Sequence, residues 1–399
     1  MQAQTFYSFF FWSILSFFLG SWFPSHAQGG KWLKGNLHTH TLWSDGDEFP
    51  DRVALWYKTH GYDFLAISDH NTLNEGEKWV VFLKGTRQEK IFLEYLKDFG
   101  DEWVEYEEKA ESWEVKLKTF AEYKRLIGDP EKFLLIPSEE ITDSFEGRPV
   151  HLNATNIQEV IKPLGGQSTT AMIQRQIDAV HQQAIRKGRP MLPHVCHPNF
   201  GWAITAEDMK PLENLRLFEI YNGHPLVQNE GNFRHPSTDF IWDEVLTHFV
   251  LEGKGPLYGL AVDDSHNFHR LGVEFSNAGR GWVWVKAKAL ETSAILEALE
   301  AGDFYATNGP KLSKVKRKRK KLKLEIEPEE GVKYKIRFIV STNKERGKIA
   351  QEIEGLKATY KLKPGELYVR AIIFSDKGTE FPYRKGEKGQ AWTQPVIRK

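Results

Sequence analysis

Between residues 33 and 262, short runs of apolar and β-branched residues alternate with stretches in which apolar positions recur every three or four residues. That rhythm predicts repeated strand and helix units, hence an α/β fold with a mainly parallel sheet. Pro50 opens a first helix that carries Val53, Leu55 and Trp56 and gives way at Gly61 to a strand over residues 62–68. A second helix is expected over 168–187, where Ile173, Ile177, Val180 and Ala184 make one apolar stripe and Gly188 supplies a left-handed exit. Residues 239–251 repeat the pattern and stop at Gly253. Further strands are expected over 33–37, 133–137, 150–153, 191–195, 215–221 and 257–262.

Two regions break the rhythm. Residues 74–130 are rich in Glu and Lys and studded with Trp79, Trp103 and Trp113, and they read as a helical insertion following a strand end. After Pro310 comes a basic run of Lys311, Lys314, Lys316, Arg317, Lys318, Arg319, Lys320, Lys321 and Lys323. It reads as a solvated linker and edge strand in preference to a contact for an anionic polymer. Alternation over 322–326, 334–340 and 367–373 then predicts a small antiparallel β domain spanning 311–399.

Composition narrows the partners. With 54 Lys plus Arg against 54 Asp plus Glu, the chain has no global field for nucleic acid or an anionic membrane, which leaves a small-molecule substrate as the expected partner. The apolar run over 6–23, followed by Ser25-His26-Ala27, reads as a secretory signal peptide over 1–27, with an uncleaved anchor as the rival because no Lys or Arg precedes it. A secreted or periplasmic location follows, and no later run reaches the roughly 18 apolar residues of a membrane span. The single Cys196 has no partner for an internal disulfide and reads as a small buried strand residue. Nothing in the composition sets an oligomeric state.

The chemistry concentrates at the carboxyl ends of the expected strands, the rim where α/β barrels place active sites. There lie His38-Thr39-His40 with Asp45 in the loop beyond, Asp69-His70, Glu139-Glu140, His151, His194 and His197-Pro198, Asn222-Gly223-His224, and Asp263-Asp264-Ser265-His266. His38 and His40 are two apart, as are Asp264 and His266, so each pair faces one side of its strand and can hold one ion. Converging imidazoles and carboxylates are costly to desolvate unless cations satisfy their charge and lone pairs. Residue chemistry alone leaves Glu139 open against Glu140, Asp263 against Asp264, and His194 against His197.

His38-Thr39-His40, Asp45, Asp69-His70, Glu140, His151, His197-Pro198 and Asp264-Ser265-His266 follow the order of motifs in the PHP (polymerase and histidinol phosphatase) domain, which residues 31–310 resemble. The resemblance implies a distorted seven-stranded (β/α) barrel over 28–310 and two or three divalent ions, Zn, Mn or Fe. It selects Glu140, Asp264 and His197 from the open pairs. His38, His40, Glu140 and Asp264 would hold one ion, Glu140, His151 and His197 a second, and Asp45, His70 and His266 a third. Glu140, Asp264 and His266 would carry catalysis. Glu219-Ile220-Tyr221-Asn222-Gly223, with residues 282–284 and 304–310, looks like a branch that includes secreted proteins and carbamate- or ester-hydrolysing enzymes.

The expected activity is hydrolysis of a small-molecule phosphoester by a metal-bridging hydroxide. Ester, amide or carbamate hydrolysis at the same ions is the alternative, and a non-catalytic sugar or polymer binder with structural metals is a third reading. His224, His269, Arg270 and Arg280 follow the last strands closely enough to be candidates for holding the substrate.

Overall fold

The computed structural model describes residues 29–398, so the leader expected over 1–27 lies outside the described residues. The first strand, β1 (Lys31–Asn36), leads to α1 (Pro50–Thr59) and then to β2 (Phe64–Ile67), which is buried along its whole length. The helix begins on Pro50, where a missing N–H removes no intrahelical bond.

Residues 74–130 depart from the expected helical insertion. β3 (Trp79–Leu83), α2 (Arg87–Phe99), β4 (Tyr106–Glu108) and β5 (Ser112–Lys116) make a three-stranded antiparallel sheet in the order β3-β5-β4 with α2 packed on it. Phe82 and Val115 point inward to join Phe49, Phe92 and Tyr95, while Trp79, Val81 and Leu83 alternate with Phe82 as exposed positions of β3 and Glu107 and Glu114 stand on the outer side of β4 and β5. The decisive period is therefore two, which the charge-rich composition conceals. α3 (Phe120–Ile127) packs on α1 and belongs to the main body.

β6 (Leu134–Phe145) and β7 (Arg148–Thr155) form one long hairpin. α4 (Thr169–Lys187) follows, its first turn capped by the Ser168 hydroxyl, which accepts from the Ala171 N–H, and its end released by Gly188 at φ 62°. β8 (Leu192–Val195), the short α5 (Ala206–Met209), β9 (Leu217–Asn222), α6 (Thr238–Leu251) and β10 (Tyr258–Val262) complete this part. The strand order is β10-β9-β8-β7-β6-β2-β1, parallel except that β7 runs against both its neighbours.

The seven strands do not close into a ring along their length, for two identifiable reasons. The outer edge of β1 is taken by β11 (Trp282–Ala287), paired antiparallel from Lys31 opposite Ala287 to Gly35 opposite Val283. The outer edge of β10 is taken at Gly259 by the Gln394 carboxamide, which accepts from the Gly259 N–H at 3.0 Å and donates to its carbonyl at 2.9 Å. The two ends meet only beyond these obstacles. There the His40 N–H donates to the Ser265 carbonyl at 2.9 Å and the Asp264 N–H to the His38 carbonyl at 3.0 Å. The sheet is thus drawn together where the candidate ligands lie.

β11 is followed by α7 (Thr292–Glu300) and β12 (Phe304–Thr307). The tail is antiparallel, as expected, with β13 (Leu312–Lys318), β14 (Lys321–Ile326), β15 (Tyr334–Ser341), β16 (Lys348–Glu354), β17 (Lys357–Lys361), β18 (Tyr368–Gly378), β19 (Lys388–Thr393) and β20 (Val396–Ile397). It does not stand apart as a separate sheet, because β19 pairs with β12 and carries the main sheet on through β18 and β15 to β16. β13, β14 and β17 form a second layer, with Leu322, Leu324, Ile336, Phe338 and Val369 buried between the layers. The basic run is the β13–β14 hairpin. Lys314 pairs with Glu325, but Arg317 turns inward to the Ala301 carbonyl and Asp303, so the run is not wholly solvated.

A buried ion pair ties the tail to α6. Arg370 on β18 contacts both Asp243 oxygens at 2.8 and 2.7 Å and Asp239 at 2.8 Å, with its guanidinium 4.6 Å from the Trp242 ring centroid. No helix among the described residues is long and apolar enough to cross a membrane.

Candidate metal centre

His38 and His40 lie just past the end of β1, and both are buried. Their Nε2 atoms are 3.1 Å apart, too close for two imidazoles without a shared proton or cation between them. The Glu140 carboxylate stands 3.4 Å from each, and the Asp264 carboxylate 3.3 Å from His38 and 3.2 Å from His40. With bonds of about 2.0–2.1 Å, the edge of a tetrahedron is about 3.3 Å. The spacing of the His38, His40 and Asp264 donors fits a single divalent ion, with Glu140 beside both imidazoles, and the mixed nitrogen and oxygen set suits Zn, Mn or Fe(II).

Two further groups share residues with this one. The other oxygen of Glu140 lies 2.9 Å from His151 Nδ1 and 3.1 Å from His197 Nε2. Asp45 lies 3.5 Å from His70 Nε2, 3.3 Å from His266 Nε2 and 3.7 Å from His40 Nδ1. All nine expected ligand residues therefore converge, and His40 reaches two of the three groups. Exposure grades across them: Glu140 is buried, whereas the Asp45 side chain is 58% exposed.

The placement of the ligands departs in one respect from the strand-end expectation. Glu140 and His151 sit in the interior of β6 and β7, because both strands run on past the sheet as a hairpin in which Glu140 faces Asn153 and Thr142 faces His151. Asp264 and His197 adopt left-handed backbone conformations, φ 50° and 21°, which non-glycine residues hold only when their surroundings impose it. Asp264 is pinned by the Asn222 amide, which donates to its second oxygen at 3.0 Å, and by Ser276, whose hydroxyl donates to its carbonyl.

The electrostatics express a demand for positive charge. Burial alone would raise the Glu140 and Asp264 carboxyls, but the surrounding imidazoles hold both well below the usual range. Burial opposes protonation of His38, yet Asp264, Glu219 and Glu140 raise it well above the ordinary imidazole value, and Glu140 and Asp45 raise His70 to about 10. His40 behaves oppositely. Burial and the adjacent His266 push it down to about 4, which leaves it neutral and able to donate a lone pair.

Two of the three open pairs separate by contact, while His194 and His197 each lie in a group of donors close enough to hold an ion. Glu139 points away from the cluster and accepts from the Ile161 N–H at 2.6 Å; it is fully buried, and burial raises it to about 8. Asp263 accepts from the Gly279, Arg280 and Gly281 N–H groups and the Tyr57 hydroxyl. His194 donates or accepts at Glu219, 3.2 Å away. Cys196 is buried, burial pushes its thiol well up, and its sulfur stands among the donors of two of these groups.

Of the four substrate candidates, only His224 faces the cluster, its ring centroid 5.4 Å from that of His266 and 5.6 Å from Phe200. Arg280 is a correction. Buried to 1% exposure, it donates to the carbonyls of Gly223 and Gly272 and so clamps two loops together, with no face left for a substrate. His269 is engaged with Glu48 at 3.1 Å, and Arg270 lies over the Phe275 ring at 5.1 Å.

Glu219, noted in the sequence only as the first residue of the motif over 219–223, holds several residues of the cluster in place. From the middle of β9 it accepts from His38 Nδ1 at 2.7 Å, from the His197 N–H at 2.7 Å and from the Asn222 amide at 2.9 Å, fixing which His38 nitrogen faces the ion site. The signal was present as a lone acid in the otherwise apolar and aromatic run Leu217-Phe218-Glu219-Ile220-Tyr221. Asp69, beside the ligand His70, accepts from the Thr41 N–H and hydroxyl and from Ser44, and thereby shapes the loop that carries Asp45.

No protein-family model matches the chain, and no curated protein matches its sequence. Among solved structures it is similar to a Bacteroides vulgatus protein described as a two-domain protein containing a predicted PHP-like metal-dependent phosphoesterase, at 14% identity over 92% of this chain and 96% of that one, TM-score 0.40. It is also similar to a Bifidobacterium adolescentis protein provisionally described as a metal-dependent phosphoesterase, at 13% identity over 59% and 88%, TM-score 0.30. A third is a Chromobacterium violaceum amidohydrolase with bound sulfate and no metal, at 13% identity over 61% and 90%, TM-score 0.26. The case for the site rests on its own geometry.

Proposed function

We propose that this protein is a metal-dependent hydrolase of the PHP type that cleaves a phosphoester in a small molecule. The observation that carries the reading is the knot of His38, His40 and Asp264, whose donor atoms stand 3.1–3.3 Å apart in a buried setting, with the Glu140 carboxylate 3.4 Å from both imidazoles. Divalent ions held there, by His151 and His197 with Glu140, and by Asp45, His70 and His266 would lower the pKa of a water and neutralise charge developing on oxygen. The chain's own contribution is orientation. Glu219 sets the His38 tautomer, and Asn222 fixes Asp264. His224 accepts the Leu226 N–H at Nδ1, so its Nε2 carries the proton, and burial lowers its pKa to about 4. It is a neutral donor suited to a substrate or leaving-group oxygen. A secreted or periplasmic setting remains part of this proposal.

Loading the protein with Zn, Mn or Fe(II) and assaying p-nitrophenyl phosphate and bis(p-nitrophenyl) phosphate tests it. Phosphoester turnover is expected, with His197→Ala and His38→Ala each lowering it roughly a hundredfold or more. One observation favours a second reading: with Arg280 buried in its loop clamp and Arg270 over Phe275, neither arginine is aimed at a phosphate. Turnover of p-nitrophenyl acetate or an aryl carbamate with phosphoesters untouched would select ester, amide or carbamate hydrolysis. Fewer than one ion bound per chain would sink both.

A further inference from the structure

Phe200 lies in the loop after β8 and does not behave as a core residue. Among the described residues it belongs to none of the apolar clusters that fill the interior, and it keeps part of its surface in solvent. The rings around it are imidazoles: His197 at 5.1 Å between centroids, His224 at 5.6 Å and His151 at 6.4 Å. Two of these face the ion cluster, and the third is the neutral donor described above. A phenyl ring that stays partly wet beside polar groups gains less from burial than one in a core, so folding alone does not account for its place.

The position is braced on both sides. The Phe200 N–H donates to the His197 carbonyl at 2.9 Å, closing a turn on a residue of the cluster. Phe200 also pairs with Val227 in an antiparallel bridge, which fixes its loop against the one that carries His224. The Asn199 amide sews the same two loops together, donating to the carbonyls of Gln228 and Pro236, both at 2.9 Å. His224 is held from its own side, where its N–H donates to the Asn222 side-chain oxygen at 2.8 Å. An apolar ring and a hydrogen-bond donor are thus held side by side before any ligand arrives, which lowers the entropy cost of binding one.

Both stand where solvent reaches the cluster. Phe200 adjoins His151 and His224 adjoins His266, whose side chains are 11% and 16% exposed against 1% for Glu140. We propose that Phe200 is a specificity-determining residue that takes a flat apolar group on the substrate, carried by the ester oxygen that His224 serves. The substrate class is then a phosphoester of a planar, apolar alcohol. The inference rests on the reading of the cluster as an ion-loaded phosphoester site.

Calorimetric titration of the Zn-loaded protein with benzylphosphonate and methylphosphonate, neither of which has an ester bond to cleave, tests it. Benzylphosphonate is expected to bind about tenfold more tightly, the contribution of one stacked and partly buried ring. Phe200→Ala should abolish that preference, weakening benzylphosphonate about tenfold and leaving methylphosphonate within about twofold. If Phe200→Ala fails to fold, Phe200→Leu decides: it keeps apolar bulk and should weaken benzylphosphonate alone, about threefold. Equal affinity for the two phosphonates in wild type, no binding of benzylphosphonate, or a Phe200→Leu that weakens both alike or neither would each overturn the inference. Turnover of p-nitrophenyl phosphate by the same preparation separates the two levels. Turnover with no ring preference sinks the role of Phe200 and keeps the hydrolase, whereas a ring preference that depends on Phe200, without turnover, supports the ring subsite and sinks the hydrolase.

Discussion

Arg280 shows how far one side chain's role depends on where its donors go. A guanidinium a few residues past the last ligand motif looks like a phosphate reader, yet it is buried and donates to two loop carbonyls, Gly223 and Gly272. Gly223 has no room for a side chain, since a Cβ there would come within 2.6 Å of the Arg280 Cβ. Arg280→Ala is therefore expected to lower stability by about 2–4 kcal/mol, through lost packing and two carbonyls left unanswered. Thermal or urea unfolding measures this. A raised KM with an unchanged melting temperature would instead restore the phosphate-reading role. The residues of the cluster could be picked out one by one in the sequence because their spacing encodes a shared strand face, as in His38 and His40. Glu219 and Asp263 were named there too, but not their roles, which lie in hydrogen bonds to groups distant in sequence. Periodicity says which face a residue takes, not what it meets there.

At the scale of elements, α1, α4 and α6 matched their apolar patterns because caps and stripes are local properties: the Ser168 cap and the Gly188 exit both fall where expected. The excursion over 74–130 was misread because β4 and β5 are rich in Glu and β3 pairs with β5 across a helix, a non-local fact. This unit is fastened to α1 through Asp51, a fully buried carboxylate that accepts from the Tyr95 hydroxyl and Trp103 Nε1, both at 2.7 Å. Burial raises Asp51 to about 6, with those hydrogen bonds opposing. In the unfolded chain it titrates near 3.8, so between about pH 4 and 6 the unfolded state releases a proton that the folded state keeps. The Asp51 contribution to stability is thus intact below pH 4, falls as pH rises through this window, and is flat above it. Against Asp51→Asn, wild type should lose on the order of 2–3 kcal/mol across the window. Denaturant unfolding of both proteins at pH 4 and pH 7 checks this, and a pH-independent difference between them would refute it.

For the whole molecule, the consequence of a continuous sheet is cooperativity. The tail was expected as a separate β domain, but β12 and β19 join it to β11 and β1, and Arg370 binds it to α6 through Asp239 and Asp243. Sequence reading could find β14, β15 and β18 of the tail but not its other strands or the pairing of β19 with β12, because nothing local marks which edge a strand will seek. Removing one partner of a buried ion pair strands the others, so Arg370→Ala should cost about 3–5 kcal/mol. The unfolding trace is expected to shift as one transition. A split into two, with the melting of the metal-centre half unchanged, would show that the halves are energetically independent.

The hydrogen bonds from His40 to Ser265 and from Asp264 to His38 join the two ends of the sheet through residues that also face the cluster. Binding at the cluster and closure of that seam are therefore linked equilibria, and linkage is reciprocal. Any substitution that favours the closed seam by a given free energy raises ion affinity by up to the same amount, without touching a ligand.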